Sequence, residues 1–340
     1  MNLTVNTKQA KEFLITNIKA GLVTMLHGDP GIGKSDLVNS VAKDFKLYPI
    51  DLRASQLDPT DVNGFGMVVE GKATYVPFDI FPLESTPIPK GYTGFMLFLD
   101  EINSASKAVE AALYKILLDR KIGQKKLHPK TAIVAAGNLV TSGAIVNRQS
   151  TATQSRLVHL ELAVDPNLWI EWASQNNLDY KVISYISSMP NELHQFDPRH
   201  NDKTFACPRT WEFVSRVLKV TGNLPLHEQL VNLAGMVGEG AARQFVAFCE
   251  TLVELPSIKE ILASPFSATL STKPSLLHAA SHLVASNMNI DNVDVLINYV
   301  ERMPVEFQTI TLQNAIFRDR NLVKHDRVIA WIDEKGDNFL

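Results

Sequence analysis

Short apolar runs alternate with amphipathic stretches through the first half of the chain. The runs are almost continuously apolar and are bounded by turn-forming or charged residues, as in strands that are buried on both faces. They lie at residues 22–26, 48–52, 95–99, 132–136 and 157–162. Between them, apolar residues recur at helical spacing, most clearly at 7–19, 34–45 and 107–119. This alternation predicts an α/β domain with a parallel sheet covered by helices on both faces.

A change in pattern marks a domain boundary. After Asp165 the strand pattern disappears, and the rest of the chain predicts only helices. We therefore expect an α/β domain over 1–164 and a helical region over 165–340. Within the first domain, residues 67–77 (MVVEGKATYVP) predict a hairpin that turns at Glu70 and Gly71.

Composition restricts the class of protein. The 340 residues carry a formal net charge of −3, which argues against a protein that coats nucleic acid or anionic lipid by bulk electrostatics. The two cysteines, Cys207 and Cys249, are too few for a disulfide framework in a chain of this size. No apolar run approaches the ~18–20 residues that span a membrane, and the N-terminal segment has no signal-peptide core. We expect a cytoplasmic protein without membrane insertion.

The turn between the first strand and its helix fits the phosphate-binding pattern GxxxxGK[ST]. Glycines allow the backbone N–H groups to curl around an anion, and the helix N-terminus adds positive charge beneath it. In this pattern the lysine contacts the β- and γ-phosphates and the following hydroxyl reaches Mg²⁺. The nucleotide-binding residues are therefore expected to be Gly28, Asp29, Pro30, Gly31, Ile32, Gly33, Lys34 and Ser35.

A pair of carboxylates supplies the second part of a nucleotide site. The strand FMLFL is followed at once by Asp100 and Glu101. Because the carboxyl ends of parallel strands share one edge of the sheet, Asp100 is expected beside Ser35, where both would order Mg²⁺. Glu101 is then the candidate base for the water that attacks the γ-phosphorus.

With these elements in place, the chain resembles the AAA+ ATPases, most closely the MoxR and CbbQ/NirQ-type (dynein-related) branch. Residues 100–103 with Ala105 are similar to the branch's DEINRA signature, and residues 57–64 (LDPTDVNG) to the segment before its hairpin insert. Residues 135–138 (AAGN) resemble sensor 1, 155–157 (SRL) the arginine-finger position, and 207–210 (CPRT) the start of the sensor 2 helix. Ser104 departs from the signature, which usually has Arg there.

The resemblance implies roles for three further residues. Asn138 would orient the lytic water, and Arg209 would contact nucleotide from the lid. Arg156 would act on the nucleotide of a neighbouring subunit; Arg148, in the loop before it, is the competing candidate. The implied architecture is a helical lid over 165–221 and a helical C-terminal extension over 222–340. The stretch 235–250 loosely resembles bacterial and bacteriophage copies of such ATPases.

The implied function is ATP hydrolysis, with ATP and Mg²⁺ bound, by a homo-oligomeric ring that remodels a protein client. The ring is expected to be a hexamer, and family members commonly act with a von Willebrand A-type partner. The alternative is a nucleic-acid motor or loader, such as a helicase, a clamp loader-like or a restriction-type ATPase. The net charge of −3 disfavours that alternative.

Two weaker patterns have structural explanations as well as functional ones. The basic residues of the segment 120–130 predict either a solvated hairpin or a substrate-contacting one in a ring; they are Arg120, Lys121, Lys125, Lys126 and Lys130. His278 and His282 stand four apart on a predicted helix, which is the spacing of a metal pair. They lack a third ligand and the intervening Glu of HExxH, so an ordinary helix face is favoured.

Overall fold

The computed structural model describes residues 3–139, 154–199, 202–222 and 224–335. The chain divides into two units, one of Met1–Val164 with Asp197–His200 and the other of Asp165–Phe196 with Asn201–Leu340. All the strands of the described residues lie in the first unit, while the second is built from helices.

The first unit is built around a six-stranded sheet in which every neighbouring pair of strands is parallel. The strands of this unit are β1 (Thr4–Val5), β2 (Thr24–His27), β3 (Leu47–Arg53), β4 (Phe65–Val69), β5 (Lys72–Val76), β6 (Gly94–Asp100), β7 (Lys121–Ile122), β8 (Lys125–Lys126), β9 (Thr131–Gly137) and β10 (Val158–Leu162). The spatial order of the sheet is β1-β10-β2-β9-β6-β3.

Two hydrophobic clusters cover the two faces of the sheet. One packs the apolar sides of α1 (Thr7–Lys19) and α2 (Lys34–Asp44) against alternate residues of the strands. The other packs α3 (Pro59–Asn63) and α4 (Lys107–Asp119) against the residues between them. Neighbouring strand residues point to opposite faces, so the most buried strands, β6 and β9, are apolar along most of their length. The predicted doubly covered parallel sheet is confirmed.

Two antiparallel hairpins extend from the first unit, β4–β5 and β7–β8. The first contains the predicted turn, with Glu70 and Gly71 at positive φ. The second carries the exposed side chains of Lys121, Lys125 and Lys126. Arg120 is not part of this charged surface, because it caps α4 in the left-handed conformation and its guanidinium donates to the carbonyl of Thr131. Fewer basic residues are therefore exposed on this surface than the segment 120–130 contains.

The second unit consists of ten helices in the described residues. They are α5 (Pro166–Gln175), α6 (Tyr180–Ser188), α7 (Pro208–Thr221), α8 (Leu230–Val237), α9 (Glu239–Thr251), α10 (Ile258–Ala263), α11 (Pro274–Asn287), α12 (Val293–Val300), α13 (Val305–Arg318) and α14 (Asp326–Lys335). Helix α6 packs on α11, and α5 on α13, so the segments before and after residue 222 pack together in one unit. Cys207 and Cys249 are both buried and unbridged. In the part of the chain described, no helix has the length and apolar content that a membrane span requires.

The histidine pair of α11 takes structural roles. His282 is buried and its Nε2 lies 2.8 Å from Ser187 Oγ, while His278 packs edge-on against Phe307 with ring centroids 5.0 Å apart. Among the described residues, no group of three or more potential ligands is arranged to hold a metal ion. Both side chains therefore pack against neighbouring helices, as expected for an ordinary helix face.

The burial of His282 predicts acid sensitivity. Burial, and secondarily His278, lowers the pKa of His282 from 6.5 to about 3. Between these two pKa values His282 binds a proton in the unfolded chain but not in the folded chain. The folded state therefore loses stability relative to the unfolded state as pH falls from about 6.5 toward 3. Urea midpoints measured between those pH values should decline for the wild type and decline less for His282→Gln. The exposed His227→Gln serves as control, and an equal decline in all three proteins would contradict the assignment.

Candidate active site

The loop between β2 and α2 forms a backbone cradle. Gly31 and Gly33 have φ values of 77° and 93°, in the left-handed region that glycine adopts without a Cβ penalty. Gly33 is the N-cap of α2 and places no side chain over the first-turn N–H groups. A Cβ at Gly28 would lie 2.5 Å from Ile32 Cδ1 and 3.1 Å from the Leu162 carbonyl oxygen. The loop thus combines exposed helix N–H groups with a tight turn, which suits phosphate oxygens.

Lys34 is buried at the centre of this cradle, with 8% of its surface exposed. Its ammonium donates to the carbonyl oxygens of Gly28 at 2.7 Å and Asp29 at 2.8 Å. A third, longer contact of 3.4 Å reaches Oδ1 of Asn138 at the end of β9. These contacts hold the ammonium at the centre of the loop, where it can attract a bound anion.

Ser35 and Asp100 provide a pair of oxygen donors next to the lysine. The hydroxyl of Ser35 donates to Oδ2 of Asp100 at 3.3 Å, and Oδ1 of Asp100 accepts from the Glu101 backbone N–H at 2.8 Å. A hydroxyl and a carboxylate at the mouth of a phosphate cradle are the hard oxygen ligands that Mg²⁺ takes alongside phosphates and waters. The residues therefore fit this ion and a nucleotide phosphate chain.

Glu101 is held in an uncommon backbone conformation, with φ of 55°, at the end of β6. Its Oε2 accepts a hydrogen bond of 2.5 Å from the hydroxyl of Ser55. Sequence reasoning missed Ser55, which lies in the turn after β3. The signal is topological: Arg53 of β3 pairs with Asp100 of β6, so the residues that follow both strands emerge side by side.

Asn103 fixes the end of β9 and was also missed as a site residue. Its side chain donates to the Asn138 carbonyl at 2.7 Å and accepts from the Asn138 backbone N–H at 3.2 Å. Because the amide bonds both backbone groups, it acts like one more rung of a sheet ladder. The fit depends on Gly137, where a Cβ would lie 2.4 Å from the Asn103 oxygen.

Removing the Asn103 side chain should slow hydrolysis without preventing nucleotide binding. Asn103→Leu leaves the partly buried Asn138 N–H without its acceptor, which costs about 1 kcal/mol of unfolding free energy. It also frees the Asn138 side chain that contacts Lys34. We expect a lower kcat with little change in nucleotide affinity, measured by phosphate release and by equilibrium binding. Asn176→Leu, at an exposed position in the other unit, is the control; equal losses of kcat in both variants would contradict the role.

Burial also shifts the pKa values of two side chains near the cradle. It raises the pKa of Asp51 on β3, with a further contribution from the Asp100 charge that Arg53 partly offsets. At the end of β2, burial lowers the pKa of His27 to about 4, with smaller effects of His159 and Lys34. His27 stacks on His159 with an Nε2–Nδ1 distance of 2.9 Å. A neutral His27 adds no charge beside the lysine ammonium.

Two of the arginines that the sequence singles out are exposed in the described residues. Arg156 is exposed in the turn immediately before β10. Arg209 is the second residue of α7 and is also exposed, and it makes no ion pair in the ranges that the structure describes. Arg148 lies outside the described residues. Lys34, Ser35, Asp100 and Glu101 are thus brought together with Asn138, whereas Arg156 does not contact them within the unit.

Comparison with known proteins agrees with this geometry. Residues 23–157, less than half of the chain, match the family model of the AAA domain of the dynein-related subfamily. These residues contain the cradle, both carboxylates and Asn138. No match to a curated protein was found. The match and the parallel sheet identify the fold as the AAA+ P-loop fold, followed by a helical region.

Solved structures of low similarity cover most of the chain. A putative ATPase from Cytophaga hutchinsonii is 15% identical over 98% of this chain and 90% of its own, with a TM-score of 0.37. The Holliday junction branch migration motor RuvB from Thermotoga maritima is 17% identical over 76% and 80%, with a TM-score of 0.35. The replication initiator DnaA bound to AMPPCP and single-stranded DNA is 13% identical over 100% and 92%, with a TM-score of 0.39. Scores this low do not distinguish a function.

Proposed function

We propose that this protein is an ATP-hydrolysing AAA+ ATPase of the MoxR-like kind that acts as an oligomeric ring on a protein client. The observation that carries the proposal is the convergence of Lys34, Ser35, Asp100 and Asn138 on one phosphate cradle, with Glu101 next to it. A cation, two metal-ligand oxygens, an amide and a candidate base are the components that phosphoryl transfer to water requires.

Each residue has a separate task in this proposal. The cradle N–H groups and Lys34 bind the phosphates, while Ser35 and Asp100 hold Mg²⁺, which when bound neutralises charge that develops during phosphoryl transfer. Glu101 accepts the proton of the attacking water. Asn138 orients that water, and Asn103 is a positioning residue that keeps Asn138 at the strand end.

The exposed position of Arg156 supports the proposed ring. Arg156 is exposed and does not reach its own cradle, so a role in hydrolysis places it on a neighbouring subunit's nucleotide. Arg209 would contact nucleotide from the helical region. A hexamer, a protein client and a von Willebrand A-type partner follow from the resemblance to MoxR-type ATPases and are part of the proposal.

The proposal is tested by the purified chain itself. It should release phosphate from ATP in the presence of Mg²⁺ and form a larger assembly with ATP, measured by light scattering. Lys34→Ala removes the cradle cation and should abolish phosphate release, while Lys130→Ala, exposed and remote from the cradle, should not. Absence of Mg²⁺-dependent hydrolysis in the wild type, or full activity in Lys34→Ala, would refute the proposal.

A nucleic-acid motor is the second candidate, and the β7–β8 hairpin favours it. Three exposed lysines lie on that hairpin. Its turn lies next to Tyr75 of β5, since a Cβ at Gly123 would be 3.4 Å from the Tyr75 Cβ. Tyr75 is 53% exposed. Cationic and aromatic side chains side by side are typical of single-strand binding surfaces. Salt-sensitive stimulation of hydrolysis by DNA or RNA would favour this candidate, and indifference would favour a protein client.

A further inference from the structure

The second unit encloses a polar cavity that the ATPase mechanism does not use. About 220 Å³ in volume, it lies where α5 and α6 pack against α11 and α13. Buried residues such as Ser174, His282 and Asn314 line its interior, and exposed residues such as Asn177 and Arg318 line its rim. Its volume is below the ~300–1,000 Å³ of pockets for drug-sized ligands, so it suits a molecule on the order of ten non-hydrogen atoms.

Two opposite charges line this cavity without neutralising each other. Arg318, the last residue of α13, donates from Nε to Asn177 Oδ1 at 2.5 Å. Asp179, the N-cap of α6, accepts from the Lys181 backbone N–H at 2.9 Å. In the ranges that the structure describes, neither side chain takes part in an ion pair.

Both charged groups have lost part of their hydration. Burial raises the pKa of Asp179 and lowers the pKa of Arg318, which in each case reflects loss of hydration around the charged form. The charges of Lys181 and Lys219 partly offset the shift at Asp179, and that of Asp319 partly offsets the shift at Arg318. A partly desolvated cation and carboxylate in one small cavity are stabilised most by a ligand that brings the complementary charge to each.

Three other polar side chains of the cavity wall already have hydrogen-bond partners. Ser174 donates to Asn314 at 2.9 Å, Asn314 donates to the Ile310 carbonyl at 2.8 Å, and His282 bonds Ser187. These bonds fix the wall in advance, which reduces the entropic cost of binding. Leu178, Ile183 and Ala285 supply apolar surface between the polar groups.

We propose that this cavity binds a small zwitterion of the amino-acid class, with its carboxylate on Arg318 and its ammonium on Asp179. The ligand would bridge helices from the segments before and after residue 222. It therefore acts on the helical unit alone, and its binding does not depend on the nucleotide cradle.

Calorimetry on the full chain without nucleotide tests the ligand class. The probes are the twenty common L-amino acids and 5-aminopentanoate, each at up to about 10 mM. We expect at least one to bind, and its two singly charged analogues, the carboxamide and the deaminated acid, to bind about ten- to a hundred-fold more weakly. No binding by any probe, or equal binding by one singly charged analogue, would overturn the proposal.

Charge-removing variants test the two residues. Arg318→Gln and Asp179→Asn should each weaken binding of the same probe at least about ten-fold. Asn caps helices as well as Asp does, so Asp179→Asn should keep α6. Arg320→Gln and Asp165→Asn, an exposed arginine nearby and the N-cap of α5, are the matched controls. Unchanged affinity in both cavity variants, each shown to be folded by circular dichroism, would reject the assignment.

Discussion

Glu101→Gln should bind ATP with nearly unchanged affinity and hydrolyse it about 10²- to 10⁴-fold more slowly than the wild type. The amide cannot accept the proton of an attacking water, but it has the size of the carboxylate. Its oxygen can still accept from Ser55, whose hydroxyl lies 2.5 Å from the present carboxylate. The geometry is therefore retained while the base is removed. Single-turnover phosphate release and equilibrium binding of ATP measure the two effects separately.

The matched control is Glu84→Gln, which removes one exposed carboxylate of the same unit away from the cradle. Full turnover in Glu101→Gln would exclude Glu101 as the base. Loss of ATP binding together with hydrolysis would instead indicate that the carboxylate organises the site. If the protein acts as a ring on a protein client, as proposed, the slow variant should retain that client in a pull-down with ATP.

The centre of the sheet could be predicted from the sequence because β2, β6 and β9 are buried almost throughout, on both faces. All five of the mainly apolar runs in the sequence contribute strands to the parallel sheet. β1 has no such signal, since it has only two residues and lies at the sheet edge next to β10. The six-residue α10 is likewise too short for a helical period to show in the sequence.

The cradle was visible in the sequence because its chemistry is local. Lys34 and Ser35 adjoin the glycines that shape the loop, and the register of parallel strands brings Asp100 and Asn138 to the same edge. Ser55 and Asn103 were not identified because their roles depend on contacts between separate turns. A serine after a strand, or an asparagine in a 3₁₀ turn, has no spacing that marks it until the partner strand is positioned.

Arg120 shows the limit of reading charge from sequence. It belongs to a basic run, yet its guanidinium bonds a backbone carbonyl and its pKa is lowered by burial. Three lysines of the β7–β8 hairpin stay exposed. The argument for a nucleic-acid substrate therefore rests on those lysines and on Tyr75, and not on the whole basic run.

The second large effect is expected from Arg156→Ala. If Arg156 stabilises transition-state charge on the nucleotide of the next subunit, its removal should slow hydrolysis about 10³- to 10⁵-fold while each subunit still binds ATP. Mixing with Lys34→Ala subunits should restore activity, because an intact cradle in an Arg156→Ala subunit can then face an intact Arg156. In randomly assembled equimolar rings about a quarter of the sites are of this kind, so activity should reach about a quarter of the wild-type rate.

Three measurements make the hybrid experiment decisive. Light scattering must show that both variants form the wild-type assembly, and Arg216→Ala, an exposed arginine of α7, should keep full activity. Arg148→Ala is tested in the same way; if its mixture with Lys34→Ala recovers and the Arg156 mixture does not, Arg148 is the residue that acts between subunits. Without recovery for either residue at any ratio, the site is contained within one subunit and the ring is not required for hydrolysis.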